Sequence, residues 1–198
     1  MGVSRQQATE NRQSIIAAAE KLFRERGVDA VGLTELTKAA GFTQGGFYNH
    51  FESKDALVAA VMSNAMEDGR NRLVAAIEHS RALGLEPIKR QIDWYLSPDH
   101  RRAIDSGCPV STFAGDVRRL GVGARKSYAD GVASNLECLA NALTGANRKE
   151  RRKKAIAVLT QLVGTLVLSR ALVDAEPDLA DEILKDGRRQ LLLDLADS

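Results

Sequence analysis

The feature that most constrains the fold is the stretch Leu33–Leu57, which reads LTELTKAAGFTQGGFYNHFESKDAL. It opens with apolar residues at the spacing of one helix face, and Gly41 then interrupts the pattern as a helix-ending glycine would. After a brief turn, a second short helix is predicted over Gln44–His50. Two short helices joined by a glycine-containing turn form a helix-turn-helix, whose second helix can enter the major groove of DNA.

The second helix and its flanks carry hydrogen-bonding side chains and no acidic residue before Glu52. Such groups can reach both base edges and phosphates. Phe47 and Phe51 lie on one side of this helix and are predicted to pack against Phe23 in the core rather than to contact DNA. The residues predicted to contact DNA are Thr34, Thr43, Gln44, Gly45, Gly46, Tyr48, Asn49, His50 and Lys54.

Over roughly residues 9–58 the sequence resembles the N-terminal DNA-binding domain of TetR-family transcriptional repressors. The matching residues are Gly27, Leu36, Ala39-Ala40-Gly41, Phe47-Tyr48-Asn49-His50-Phe51 and Ser53-Lys54-Asp55-Ala56-Leu57. Three departures stand out: Val31-Gly32 replaces the usual capping Thr or Ser, Thr37 replaces a usual Ala, and Gly45-Gly46 begins the recognition helix. Two adjacent glycines there cost up to about 2 kcal/mol of helix propensity relative to alanine.

Lys54 falls in the first turn of a helix that Ser53 is predicted to cap. A cation at a helix N-terminus is favoured only if an anion such as a DNA phosphate lies opposite. The alternative is a solvated lysine paired with Glu52. The resemblance favours the phosphate contact.

The resemblance implies an all-α fold with two domains. Residues 1–58 would form a three-helix helix-turn-helix domain, and residues 59–198 a helical domain for ligand binding and dimerisation. It implies a transcriptional regulator, expected to be a repressor, that leaves a pseudo-palindromic operator when a small, mostly apolar or electrophilic ligand binds the second domain. The alternative is a helical small-molecule enzyme or lipid-binding carrier with an incidental helix-turn-helix.

Composition agrees with a helical protein. The chain has 198 residues, of which 44% are hydrophobic and only 5% aromatic, with four prolines, and alternating β-branched runs are scarce. A net charge of +2 does not by itself indicate DNA binding, so a DNA surface must come from the arrangement of charges. No signal peptide and no apolar run near the length of a membrane span is expected, which favours a cytoplasmic protein.

Capping residues and helix breakers predict the remaining helices. The residues 1–8 are predicted to be a frayed tail, with a basic arm that touches DNA as the alternative. Helices are predicted to start near Thr9, Ser53, Pro87, Ser97-Pro98, Gly121, Asn147 and Pro177. The helix from Thr9 should end at Gly27, and the helix from Ser53 should pass Gly69 and run to about Ile77. The helix that Asn147 caps should run to about Val173.

The last two helices are the most apolar long helices of the chain, so they are predicted to pack against a second copy. The resemblance implies the same, because TetR-like proteins dimerise through their last two helices as a four-helix bundle. The predicted interface residues are Leu159, Leu162, Leu166, Ile183, Leu184 and Leu191.

Most aromatic residues outside the first domain fall between about Leu85 and Leu143, where the resemblance places the inducer. They suggest a mostly apolar pocket with a few polar groups, or alternatively an ordinary core. The predicted ligand-binding residues are Trp94, Tyr95, Cys108, Phe113 and Tyr128.

Cys108 sits between Gly107 and Pro109, a segment that resembles the glycine-cysteine segment of a TetR subgroup that includes sensors of electrophiles and oxidants. Arg101 or Arg102 folding back beside the sulfur would favour its thiolate form. The alternative is a packed, inert thiol. Cys138 lies on a predicted helix and is expected to be inert, and the two cysteines do not make a disulfide framework.

Other chemistry finds little support. The segment Gly121–Ser127 lacks the glycine directly before Lys-Ser that a phosphate-binding loop requires. The histidines 50, 79 and 100 are not spaced as metal ligands, and no nucleophile-elbow motif appears, so no metal, cofactor or enzyme activity is expected. The basic run Arg148–Lys154 is predicted to be a solvated helix end rather than a nucleic-acid patch.

Overall fold

The computed structural model describes residues 4–196, and this part of the chain is built from helices without strands. The expected all-α fold is therefore confirmed. The helices are α1 (Arg5–Arg26), α2 (Leu33–Ala39), α3 (Gln44–Tyr48), α4 (Lys54–Ala82), α5 (Pro87–Tyr95), α6 (Pro98–Arg102), α7 (Pro109–Phe113), a short 3-10 helix (Val117–Arg119), α8 (Val122–Ala142), α9 (Arg148–Leu172) and α10 (Pro177–Ala196).

Local capping chemistry sets several helix starts at their predicted positions. Ala56 N–H donates to Ser53 Oγ over 3.1 Å at the start of α4. At the start of α9, Glu150 N–H donates to Asn147 Oδ1 over 3.0 Å. Helices α5 and α10 begin at Pro87 and Pro177, as expected for a residue that has no N–H to satisfy in the first turn.

The first helix starts earlier than predicted. Ser4 caps α1 by accepting from Gln7 N–H over 3.1 Å, so Thr9 lies inside the helix. Side-chain hydrogen bonds one turn apart, including Gln6 to Glu10, support this first part of α1. The predicted tail is therefore helical from Arg5 onward, and its residues 1–3 lie outside the described part.

Two glycines end helices as predicted. Gly27 and Gly41 have φ of 82° and 75°, in the left-handed region that side chains other than glycine rarely adopt. Gly27 follows α1 directly, and Gly41 follows the C-cap of α2. By contrast, α4 continues beyond the predicted end near Ile77 to Ala82.

The chain divides into two compact units that differ from the predicted domains. The first comprises residues up to Glu67 together with Phe113–Asp130, and the second comprises Asp68–Thr112 and the residues from Gly131 onward. The predicted boundary at residue 58 falls inside α4, which has no break there.

Ion pairs and hydrogen bonds explain why a later segment joins the first unit. Val28 N–H donates to Asp116 Oδ2 over 3.4 Å, and Arg119 Nε lies 3.0 Å from Asp29 Oδ2. These contacts attach the 3-10 helix segment to the loop after α1, about ninety residues earlier in the chain. No local sequence pattern predicts a contact between segments this far apart in the chain.

The second unit has a core centred on the packing of α9 against α10, with α5 and α8 contributing. Ser169 Oγ donates to the Ala180 carbonyl over 2.8 Å, which ties the two helices together at a fully buried position. Gly187 of α10 faces Thr165 of α9, because a Cβ at Gly187 would lie 2.6 Å from Thr165 Cγ2. This glycine allows the helices to approach closely.

The predicted dimer residues need correction. Leu159, Leu162, Leu166, Leu184 and Leu191 are buried in the core of their own subunit, and Ile183 is half-buried. The most apolar stripes of α9 and α10 pack against each other and against α5, so five of the six residues are not available to a second copy. By length and composition α9 could also cross a membrane, although a soluble protein's core helix meets the same test.

We expect Gly187→Ala to destabilise the protein. The new Cβ would overlap Thr165, and overpacking of this kind costs typically 1–3 kcal/mol, against which alanine gains about 1 kcal/mol of helix propensity. Chemical denaturation would measure the net loss. Adding Thr165→Ala should restore stability if the overlap is the cause.

Gly115→Ala serves as the control, because a Cβ there meets no atom within 4 Å. Its free energy of unfolding should stay within about 0.5 kcal/mol of the parent. A Gly187→Ala protein as stable as the parent would contradict the close packing of α9 and α10.

Candidate nucleic-acid interface and ligand cavity

Helices α2 and α3 form the two arms of a helix-turn-helix. The turn closes where Phe42 N–H donates to the Thr37 carbonyl over 2.8 Å. Thr43 then caps α3 by accepting from Gly46 N–H over 3.1 Å. The second helix is shorter than predicted and ends at Tyr48 rather than His50, with the glycine pair in its first turn.

The predicted reading face is largely open to solvent. Thr34, Thr43, Gln44, Gly45, Tyr48 and Asn49 are exposed, and Tyr48 has 57% of its surface accessible. Gln44 Nε2 donates to Thr34 Oγ1 over 2.9 Å, so these two side chains join α3 to α2. Their assignment as DNA contacts stays a prediction.

The other side of α3 faces the core, as predicted. Phe47 and Phe51 are buried and their rings stack with centroids 5.6 Å apart. Gly46 is half-buried, and so is His50, whose ring packs edge-on against Phe42 at 5.8 Å. The packed ring limits how far His50 can reach outward.

Lys54 has a partner that neither sequence-based interpretation foresaw. Its Nζ donates to the Val28 carbonyl over 3.0 Å, and the side chain is half-buried. The alternative interpretation, a solvated lysine paired with Glu52, is wrong, because Lys54 is half-buried and donates to a carbonyl in the loop after α1. An ammonium has three N–H donors, so two remain for a phosphate.

A cavity of about 270 Å³ lies in the second unit, enclosed by α4, α5, the start of α7, α8 and α9. Trp94, Tyr95 and Cys108 line it, as predicted from the sequence. Its volume is near the lower end of the range of roughly 300–1,000 Å³ found for small-molecule sites.

Phe113 and Tyr128 do not line this cavity, so it does not support their assignment as ligand-binding residues, which stays a prediction. Both belong to the first unit, because the chain passes from one unit to the other between Thr112 and Phe113. Phe113 is buried there, with the Arg24 guanidinium over its ring at 5.5 Å.

Much of the cavity wall was missed at the sequence level. The wall includes one face of α4 and residues of α8. It also includes two residues of α9, Leu159 and Leu162, that were predicted to lie in the dimer interface. The apolar residues of α4, α8 and α9 all hold helical spacing, but that spacing does not tell which neighbour or cavity an apolar face contacts. The missed residues are Gly69, Arg72, Leu73, Ala76, His79, Ser80, Pro87, Arg90, Gln91, Pro109, Asn135, Leu139, Leu159 and Leu162.

Two buried polar atoms at the cavity have no hydrogen-bond partner of normal geometry among the described residues. They are the Tyr95 hydroxyl oxygen and Asn135 Oδ1. Tyr95 is 3% exposed and Asn135 5% exposed. Burial raises the pKa of Tyr95 well above 10.0, and the neighbouring Cys108 thiol raises it further.

His100 holds the cavity wall through both ring nitrogens. Cys108 N–H donates to Nε2 over 3.1 Å, so the proton resides on Nδ1, which lies 2.7 Å from the Tyr95 carbonyl. The ring is therefore neutral, and it stacks on Trp94 with centroids 4.3 Å apart. Burial lowers the His100 pKa from 6.5 to about 4, and the positive charges of Arg170 and Arg72 oppose protonation as well.

Arg170 fixes the backbone around this histidine. Its guanidinium donates to the carbonyls of His100 over 2.7 Å and of Arg101 over 3.1 Å. Gly107 packs closely against the Ala103 backbone, because a Cβ at this glycine would lie 2.4 Å from the Ala103 carbonyl oxygen. The glycine before Cys108 is thus required by packing, which explains it without any redox role.

The two arginines expected to activate Cys108 are engaged elsewhere. Arg101 Nη1 lies 2.7 Å from Asp181 Oδ1 and donates to Ser169 Oγ, while Arg102 pairs with Asp99. The proposed activation of the thiol by Arg101 or Arg102 is therefore wrong. Cys108 remains a half-exposed residue of the cavity wall, and burial raises the pKa of Cys138, which lies in a separate cleft.

Comparison with known proteins identifies the class. A family model described as "Bacterial regulatory proteins, tetR family" matches residues 15–61, which span the helix-turn-helix. An uncharacterized HTH-type transcriptional regulator of Lactococcus lactis subsp. lactis is 26% identical over 170 residues, covering 82% of this chain and 85% of the relative. The HTH-type transcriptional repressor NemR of Escherichia coli K12 is 25% identical over 134 residues, covering 68% and 67%.

Solved structures share the fold. The reduced form of E. coli NemR superposes with a TM-score of 0.73 at 20% identity, covering 92% of this chain and 95% of NemR. A TetR transcriptional regulator from Legionella pneumophila gives 0.72 at 20% identity, covering 98% and 100%.

Together the family-model match to the helix-turn-helix, the similar regulators and the shared fold support a regulator of the TetR family. It is a DNA-binding, ligand-responsive regulator, and the alternative of an enzyme or carrier with an incidental helix-turn-helix is not favoured. Regulators of this family are generally not enzymes.

The pKa of His100 predicts a pH dependence of stability. Between pH 6.5 and about pH 4 the unfolded chain binds a proton that the folded chain excludes. Stability is therefore fully present above pH 6.5 and is lost as the pH falls towards 4, by up to about 3 kcal/mol.

The measurement is the free energy of unfolding at several pH values for the parent and for His100→Gln. Glutamine can donate and accept as the neutral ring does, but it does not titrate. The variant should lose less stability than the parent between pH 7 and pH 4. Parallel curves for the two proteins would show that His100 is not a buried neutral group.

Proposed function

We propose that the protein is a homodimeric transcriptional repressor that binds a pseudo-palindromic operator through α3 and leaves it when a small molecule occupies the cavity. The observation that carries the proposal is the presence, in one chain, of an exposed helix-turn-helix face and a separate cavity with unpaired buried polar atoms. Several relatives, NemR among them, are named as transcriptional repressors. Their function in transcription also supports a cytoplasmic location.

One helix offers a physical route between ligand and DNA. Helix α4 carries Lys54 in its first turn, and further along it supplies Arg72, Leu73 and Ala76 to the cavity wall. A ligand that binds one orientation of this helix better than another shifts the population towards that orientation. In our proposal the favoured orientation separates the two recognition helices of the dimer and lowers operator affinity.

The dimer surface is proposed to be the exposed apolar face of α9 and α10. On α9, Ile156, Val167 and Leu168 remain exposed outside the subunit core, and on α10 Leu179 and Leu193 do so. Ile156 and Val167 lie on one side of α9 with Leu168 next to Val167, and Leu179 and Leu193 lie on one side of α10. A second copy that packs against this face would cover these side chains and form a four-helix bundle. The buried leucines of α9 and α10 would hold the two helices of each subunit together.

Two substitutions should separate base reading from backbone binding. Tyr48→Phe removes an exposed hydroxyl proposed to contact phosphate, so binding should weaken alike for operator and unrelated DNA. Gln44→Ala should instead relax the preference at one base pair of each half-site, by about 1–3 kcal/mol. Titration of the parent and both variants against the gene's own upstream DNA, at several salt concentrations, would measure these effects.

The parent should show salt-dependent binding of that DNA, as cationic contacts to phosphates require. Circular dichroism melting of both variants provides the folding control. If both variants bind operator with parental affinity and specificity, α3 is not the reading helix.

Neighbouring leucines on α9 provide a matched test of the dimer surface. Leu168 is 56% exposed, so Leu168→Asp should give a folded monomer with much weaker operator binding. Leu166 is 0% exposed, so Leu166→Asp should unfold the subunit instead, because it buries an unpaired charge.

Sedimentation velocity and circular dichroism together distinguish the two outcomes. Leu179→Asp on α10 should behave like Leu168→Asp. Dimers that survive both of these changes would place the interface on another surface.

A further inference from the structure

The charged side chains that line the cavity of the second unit are basic. Its wall includes the exposed basic side chains of Arg72, His79 and Arg90, and no Asp or Glu is among its described lining residues. Neither the Arg72 nor the Arg90 side chain makes a hydrogen bond or an ion pair to a described part of the chain. Two guanidinium groups are thus available to an anion entering the cavity.

The positive field also extends behind the cavity wall. The charges of Arg72 and Arg170 disfavour protonation of the buried His100 ring, in addition to the effect of burial. A cationic ligand would meet repulsion in this region, whereas an anion would be attracted.

The inner wall has different chemistry. Leucines 73, 139, 159 and 162 line it, so the middle of a bound molecule must be apolar. The two unpaired buried atoms, the Tyr95 hydroxyl and Asn135 Oδ1, belong to this same wall. Leaving such groups unpaired is unfavourable, and a ligand group that pairs with them recovers that free energy.

The kind of ligand group follows from the two atoms. The Asn135 oxygen can only accept a hydrogen bond, whereas the Tyr95 hydroxyl can donate or accept. A ligand hydroxyl can donate to the amide oxygen and can accept from the phenol, so it satisfies both kinds of partner.

We propose that the cavity takes a small monoanionic carboxylic acid with an apolar body and a hydroxyl at its far end. The carboxylate binds to Arg72 and Arg90, and the hydroxyl binds to Asn135 and Tyr95. This inference rests on the proposed function only where it calls that acid the effector, because binding to the cavity can be measured without DNA.

Four compounds on one scaffold test the class. They are 3-(4-hydroxyphenyl)propanoate, 3-phenylpropanoate, 3-phenylpropan-1-ol and 3-phenylpropylamine, each titrated into the full-length protein by calorimetry. The hydroxy acid should bind tightest, loss of its ring hydroxyl should weaken binding about fivefold, and replacing the carboxylate by an alcohol should weaken it by a further factor of about five to ten. The amine should not bind.

Trp94 reports where binding occurs. It is the only tryptophan of the sequence and lines the cavity, where it stacks on His100. Binding in the cavity should therefore change the intrinsic fluorescence of the protein. Heat of binding without any fluorescence change would place the acid elsewhere and overturn the inference.

Variants assign each part of the ligand to its partner. Arg72→Gln with Arg90→Gln should remove the preference for 3-phenylpropanoate over the alcohol, with little change in alcohol affinity. Tyr95→Phe and Asn135→Leu should each reduce the advantage of the ring hydroxyl, and Tyr95→Phe keeps the buried aromatic ring. Arg70→Gln is the matched control, because Arg70 lies on α4 but lines the separate cleft.

The outcomes separate this inference from the proposed function. An alcohol that binds the parent as tightly as the acid, an arginine variant that keeps the acid preference, or no binding by any of the four compounds overturns the inference. Acid binding in a protein that does not shift its upstream DNA overturns the proposed repressor and leaves the cavity assignment standing. DNA binding that persists while no acid binds overturns the inference about the cavity and leaves the proposed repressor standing.

Discussion

The arrangement of the cavity depends on the Arg170 guanidinium more than on any other single group. From α9 it donates to the carbonyls of His100, Arg101 and Ala103, at the C-terminal end of α6 where carbonyls have no partner within the helix. An arginine can satisfy several such acceptors at once because its five N–H donors have a fixed geometry. The loop that follows α6 is thereby held against α9.

His100 transmits this constraint to the residues that line the cavity. Its ring accepts from Cys108 N–H and contacts the Tyr95 carbonyl, so the start of α7 and the end of α5 are held together. The hydrogen bond from Cys108 N–H requires a neutral ring, which burial and the charge of Arg170 favour. Cys108 is held in place through its backbone N–H. The sequence had suggested instead that a neighbouring arginine would favour the thiolate form of its side chain.

Natural proteins depart from ideal packing where binding requires it, and the inner cavity wall is such a place. A buried phenol and a buried amide oxygen without partners reduce the stability of the ligand-free protein. Nearby, Ser169 and Ala180 show the usual arrangement, in which a buried hydroxyl is paired with a carbonyl. In our proposal the two unpaired atoms at the cavity belong to the ligand site.

Helix positions and the helix-turn-helix could be predicted because they depend on residues close together in sequence. Ser53 and Asn147 cap helices through hydrogen bonds spanning three residues, and Gly27 and Gly41 end helices through their own backbone conformation. The resemblance to the TetR family rests on this same local segment, which is why the class of protein was accessible from the sequence.

The partners of individual side chains were decided by tertiary structure. Lys54 bonds to the Val28 carbonyl 26 residues away, and Arg101 reaches Asp181. Two leucines of α9 with one residue between them are equally apolar in the sequence, yet Leu166 is buried within the subunit and Leu168 is exposed. Hydrophobic spacing determines that a helix has an apolar face, but which residues of that face are covered depends on the rotation of the helix against neighbours distant in sequence, and only the folded chain sets that rotation.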